Sequence, residues 1–106
     1  MSLDENVLKE IVDRVLGVTR PERIILFGSA ATGTMTRDSD IDLIVLEQRP
    51  DNLRAESVKL HRALSRIGYP VDIIVMSTER FEESKGVIGG LAYPANKYGK
   101  VIYEAA

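Results

Sequence analysis

The sequence predicts a single α/β (α+β) domain over residues 1–106, a mixed β-sheet with flanking helices, and three observations carry that expectation. A chain of 106 residues has room for one hydrophobic core. Three short runs, Ile24 to Phe27, Asp40 to Leu46 and Val71 to Met76, are rich in β-formers and too short to stand alone as helices. Around them lie segments whose apolar residues recur at helical spacing, so helices packed on a sheet are the natural architecture.

Ser2 and Glu5 form a capping box at the start of a series Leu3, Val7, Leu8, Ile11, Val12, Val15 and Leu16, which predicts an amphipathic first helix up to Gly17. Past Pro21, Ile24 to Phe27 is expected as a buried strand that Gly28 ends. Ser29 to Ser39 is small, polar and threonine-rich, the composition of a functional loop with room for one helical turn. Asp40 to Leu46 alternates as far as Leu43 and is apolar after it, the pattern of a strand that runs from an exposed end into a core. Pro50 and Asp51 open a second helix carrying Leu53, Val58, Leu60, Ala63, Leu64 and Ile67, with Gly68 as its expected C-terminal cap. Val71 to Met76 is a third strand, and Ser77 with Thr78 opens a shorter helix to about Ser84. Gly86 to Gly99, with Pro94 inside it, is expected as a broken helix, and Lys100 to Tyr103 as a last, edge strand.

Composition narrows the function. There is no cysteine, so neither disulfides nor thiolate-bound metal enter. No stretch approaches the ~18 apolar residues of a membrane span, and the N-terminus lacks the apolar core of a signal peptide, so a cytoplasmic protein without membrane contact is expected. Fourteen basic residues against sixteen acidic ones leave a net charge of −2, where proteins that grip long nucleic acids carry a basic surplus. A long nucleic-acid partner is therefore disfavoured.

The stretch Leu26 to Val45 carries the chemistry. An apolar strand ends in Gly28-Ser29, ten residues follow, and then comes Asp40-Ile41-Asp42. Side chains alternate along a strand, so Asp40 and Asp42 share one face while Ile41 and Leu43 take the other. Two carboxylates ~4 Å apart repel by about 4 kcal/mol at an effective dielectric near 20, which calls for a divalent cation or a shared proton. Oxygen ligands beside phosphates select magnesium, or manganese, over zinc. Gly28 leaves room for a phosphate to approach the backbone, and Ser29 adds a hydroxyl. Asp72, inside the apolar run Val71 to Met76, is the candidate third carboxylate, since a lone Asp in a buried strand is costly unless it is paired or metal-bound. Arg37 is the loop residue best suited to touch phosphate. His61 stands without Cys or His companions and is expected as a surface residue.

Gly-Ser, ten residues, Asp-x-Asp and a later strand aspartate together resemble the minimal nucleotidyltransferases of the DNA polymerase β superfamily, among them the MntA-like antitoxins of HEPN/MNT toxin–antitoxin pairs. The resemblance covers Ile24 to Met76 and extends to the final strand around Gly99 to Glu104. It implies the polymerase β-like nucleotidyltransferase fold, two Mg²⁺ ions (or Mn²⁺) held by Asp40, Asp42 and Asp72, and nucleotide phosphates bound by Gly28 and Ser29. It further implies transfer of a nucleoside monophosphate, AMP from ATP, to a hydroxyl, with a tyrosine of a helical HEPN-type toxin as acceptor. Two rival roles are a non-catalytic antitoxin subunit that silences its partner by binding, and transfer to a small-molecule hydroxyl such as that of an antibiotic. Many relatives carry a large residue, often arginine, after Gly-Ser, where this chain has Ala30. Val87, Ile88, Leu91, Tyr93 and Tyr98 lie among helix breakers and are expected to leave an apolar patch at which a partner docks.

Overall fold

The apolar runs become strands, and the order in which they pair fixes the architecture. The computed structural model describes residues 3–36, 38–90 and 92–106. Its elements are α1 (Glu5–Leu16), β1 (Arg23–Phe27), α2 (Ser29–Thr32), β2 (Ile41–Glu47), α3 (Leu53–Ala63), β3 (Val71–Ser77), α4 (Thr78–Ser84), α5 (Ala92–Tyr98) and β4 (Lys100–Glu104). The strands lie in the order β3-β2-β1-β4; β1 is antiparallel to both neighbours and β2 is parallel to β3. The sheet is mixed, as predicted, and β4 is an edge strand.

β2 is apolar on both faces because both faces are covered. Its odd-numbered residues Ile41, Leu43 and Val45 join Ile24, Leu26, Ile73 and Val75 in a core closed by Ile11 and Val15 of α1 and Leu60 of α3. Its even-numbered Ile44 and Leu46 join Ile25 in a second cluster closed by Phe81 of α4 and by Ala92 and Ala95 of α5. The two clusters make a helix layer on each side of the sheet, α1 and α3 on one and α4 and α5 on the other.

Several boundaries differ from the sequence expectation, each for a local reason. α1 is capped by Asp4, whose Oδ1 accepts the backbone N–H of Asn6 at 2.7 Å; Ser2, expected in that role, lies outside the described residues. α3 begins at the N-cap Asn52, whose side chain accepts from the N–H of Ala55, and it ends at Ala63, short of Ile67. Gly68 is not its cap. The chain has already left the helix by Arg66, which takes a positive φ of 63°. The segment expected as a broken helix holds one regular turn pair, α5, and Pro94 sits in its first turn, where a proline removes no intrahelical hydrogen bond. Leu91 lies outside the described residues. His61 is exposed, with Nδ1 2.9 Å from the carbonyl oxygen of Ser57.

Arg14 explains where α3 stops. The last carbonyls of a helix have no intrahelical donor, and Arg14 of α1 supplies one: its Nη1 donates to the carbonyl oxygens of Ala63 at 3.2 Å and Ser65 at 2.8 Å, while its Nε donates to Glu10 Oε1 at 2.9 Å. The guanidinium thereby ties the two helices of one layer together. Arg14→Ala should lower the free energy of unfolding by about 1–3 kcal/mol, because two carbonyls lose a charged donor. Glu10→Ala removes an exposed ion pair and should cost under ~1 kcal/mol. Urea unfolding of the two variants measures the difference, and equal losses would mean that the carbonyl contacts do not hold α3.

Candidate active site

The register of the sheet sets three positions in one row. Phe27 of β1 pairs with Asp42 of β2, and Asp42 pairs with Asp72 of β3. Neighbouring strands are ~4.8 Å apart, and paired residues of parallel strands project to the same side. Asp42 and Asp72 therefore stand side by side on the face that also carries Ile44 and Ile74. Asp40, one residue before β2, shares their parity. Pro70 closes this end of the sheet, its carbonyl oxygen accepting the N–H of Ile41 at 2.8 Å, so β3 begins level with β2.

The helices on this face cover only its other end. Thr78 of α4 donates to Glu22 Oε1 at 2.6 Å, Phe81 lies beneath the Arg23 guanidinium at 5.4 Å, and Glu82 accepts from Arg23 at 2.6 Å. All three contacts are at the start of β1, the end away from Asp42. The row of aspartates is left open: Asp40 and Asp72 are exposed and Asp42 is half-buried. Of the two positions open to Asp72, inside a buried run or at the exposed beginning of a strand after Pro70, it does not take the buried one. It is instead at the solvated start of its strand, in reach of a ligand.

Burial raises the pKa of Asp42, and the charges of Asp72 and then Asp40 raise it further. The charges of Asp72 and Asp40 thus oppose the ionisation of Asp42, the condition that a divalent cation relieves. Among the described residues no three acidic, His or Cys side chains are already drawn into a metal-holding group. The residue types nevertheless suit a hard cation: three carboxylates, oxygen donors only, on one face of the sheet.

Gly28 is part of the same arrangement. It lies at φ 69°, ψ −154°, a conformation that only glycine adopts readily, and a Cβ there would come within 2.5 Å of Asp42 Oδ2. The turn out of β1 can pack against the carboxylate only because the side chain is missing. Ser29 opens α2 directly after it, half-buried, and the N–H groups of Ala31 and Thr32 return to the Gly28 carbonyl at 3.1 and 3.2 Å. Ala30 is 5% exposed and belongs to the core below the sheet, so the position after Gly-Ser has no charge to offer a ligand. Met35, buried at 2% exposure, anchors the loop that leads to Asp40, a role its surroundings of threonines conceal in the sequence. Thr32 and Thr34 are exposed and bonded to each other at 2.9 Å, and Arg37 lies outside the described residues.

Known proteins share the fold described above. The family description of the nucleotidyltransferase domain matches residues 5–93. Among solved structures, a toxin–antitoxin crystallised with AMP-PNP is 22% identical, with 92% of this chain and 73% of that one covered and a TM-score of 0.66. A complex of a tri-AMPylated Shewanella oneidensis HEPN toxin with its MNT antitoxin is 17% identical, with 97% and 74% covered and a TM-score of 0.68. A Sulfolobus solfataricus protein described as a nucleotidyltransferase is 22% identical, with 93% and 78% covered and a TM-score of 0.63. Among curated protein sequences none matches. The family match spans most of the chain, including β1, the Gly28-Ser29 turn and all three aspartates, and the neighbours share its fold: the chain belongs to the nucleotidyltransferase domain family.

Proposed function

We propose that this domain transfers a nucleoside monophosphate, AMP from ATP, to a tyrosine hydroxyl of a helical HEPN-type partner and acts as that partner's antitoxin. The observation that carries the reading is the row Asp42–Asp72 with the Gly28 backbone packed against the Asp42 carboxylate, so that the carboxylates adjoin the turn expected to bind phosphate at one rim of the sheet. Asp40, Asp42 and Asp72 would hold two magnesium ions, which when bound supply charge neutralisation at the α-phosphate and at the attacking and leaving oxygens. Gly28 and Ser29 receive the triphosphate, with Arg37 as its cation. Asp72, exposed on the outer strand, takes the proton of the attacking hydroxyl as its oxygen bonds to the α-phosphorus and pyrophosphate departs.

The partner assignment draws on two supports. Structural neighbours of this chain occur in complexes with HEPN toxins, one of them tri-AMPylated. In this chain Val87, Ile88 and Tyr98 stand exposed, at 57%, 82% and 57%, apolar surface of the kind an interface covers. No helix among the described residues is long and apolar enough to cross a membrane, so these side chains do not belong to such a span.

Asp42→Asn and Asp40→Asn should each reduce transfer by at least ~100-fold, the scale of losing a group that acts in the transition state. In EDTA either variant should melt at the same temperature as the parent or higher, since a neutral side chain relieves the repulsion that raises the Asp42 pKa. Intact-mass analysis of the co-expressed helical partner with each NTP reads the transfer. Undiminished adduct in both variants would remove the catalytic assignment. Absence of adduct from the parent, with the complex intact, would leave binding alone as the function.

Gly28→Ala should be worse than an ordinary surface change. The positive φ and the close approach to Asp42 together should cost about 1–3 kcal/mol, and calorimetric titration with AMP-PNP and magnesium should show weakened binding. A variant with parental stability and affinity would mean that the turn has slack at this point.

A further inference from the structure

At the opposite end of β2 from the aspartates a second pair of carboxylates meets, and among the described residues neither is in an ion pair. Glu47 is the last residue of β2 and is only 8% exposed. Its Oε1 accepts the Thr19 hydroxyl at 2.9 Å, from the connection between α1 and β1. Its Oε2 is buried, as is Oε2 of Glu56 in the first turn of α3, and neither finds a donor among the described residues. Two buried acceptors with no donor between them are stable only if one carboxyl keeps its proton and gives it to the other. We propose that Glu47 and Glu56 share a proton and so form a latch that fastens the first turns of α3 to the sheet, closed in mild acid and released as the solution approaches neutrality.

The surroundings favour a proton as the occupant. Burial first, and then the hydrogen bond with Glu56, push Glu47 up to about 7 against the pull of the Thr19 hydroxyl, with the Glu56 charge adding to the rise. Asp51 and Lys59 line the shallow groove onto which Glu56 opens, one from the lead into α3 and one from α3 itself. From the α1–β1 connection, Thr19 is neutral, and Glu22 is engaged with Thr78. Glu56 is the one charged group whose field registers on Glu47.

The other end of α3 is held differently. Arg14 donates to the carbonyls of Ala63 and Ser65, contacts in which no carboxyl proton takes part. One end of α3 is therefore anchored permanently and the other by a group that titrates, so release opens the helix at its N-terminus about a fixed C-terminus. The sign follows from linkage. The closed form binds the proton up to about pH 7, whereas an opened Glu47 returns to its ordinary 4.5, so closure is complete below 4.5 and is lost as pH rises through 7.

Hydrogen exchange of the full chain tests this, followed at the amides of the first two turns of α3 and corrected for intrinsic exchange. Protection there, relative to β2, should fall by up to about tenfold per pH unit between pH 5 and 7 and level off above, as one linked proton requires. Glu47→Gln carries an amide that donates to Glu56 permanently, and its protection should be independent of pH over the same range. Glu56→Gln should behave alike, the donor now on the other side. A pH dependence in Glu47→Gln equal to that of the parent would overturn the latch, as would a flat parent profile. Failure of both variants to fold would overturn it too, since either amide replaces the shared proton.

Discussion

Asp42 and Asp72 stand side by side because β2 and β3 run parallel and in register, and that pairing constrains most of what surrounds it. Parallel neighbours cannot be joined by a tight turn, so α3 must carry the chain back across the sheet before β3 can begin. Its return is what forms the α1/α3 layer and what delivers Pro70 to the N–H of Ile41. The same register puts two like charges within one strand spacing, a cost the fold tolerates by leaving that end uncovered. Solvent at that exposed end screens the pair.

The two faces of the sheet divide the work. Below, α1, α2 and α3 close a continuous core from Ile11 to Val75, and even Ala30, next to the Gly28-Ser29 turn, belongs to it. Above, α4 and α5 are short and cluster around Phe81. A rigid lower layer fixes the backbone positions of Gly28 and Asp42, while the sparse upper layer leaves space in front of them. Precision and access thus come from opposite sides of one sheet.

The strands and the shared face of the aspartates were legible in the sequence because both are written in short-range pattern. The period-2 start of β2 sets Asp40 and Asp42 on one face, Ser77 caps α4 as its type suggests, and Gly28 sits where the strand ends. What could not be read depends on residues distant in sequence. The end of α3 is held by Arg14, 49 residues away from Ala63, and Glu47 acquires its partner only when α3 folds back. Asp72 was found for a partly mistaken reason: an apolar run implied burial, but the first residues of a strand at the rim of a sheet are wet. Pro94 misled in the other direction, since a proline marks a helix start as readily as a helix break.

β1 lies between β2, the next strand along the chain, and β4, the last. The first pairing closes a short loop and the second nearly the whole chain, and loop closure grows costlier with length. Folding is therefore expected to proceed from the β1–β2 pair outward, with β4 arriving late. Gly99, immediately before β4, is packed so tightly against Ile25 of β1 that a Cβ there would approach Cγ2 of Ile25 to 2.8 Å. The same Cβ would collide with the carbonyl oxygen of Ala95 in α5, so a glycine at that joint is what lets the chain turn out of the helix and straight onto the edge of β1.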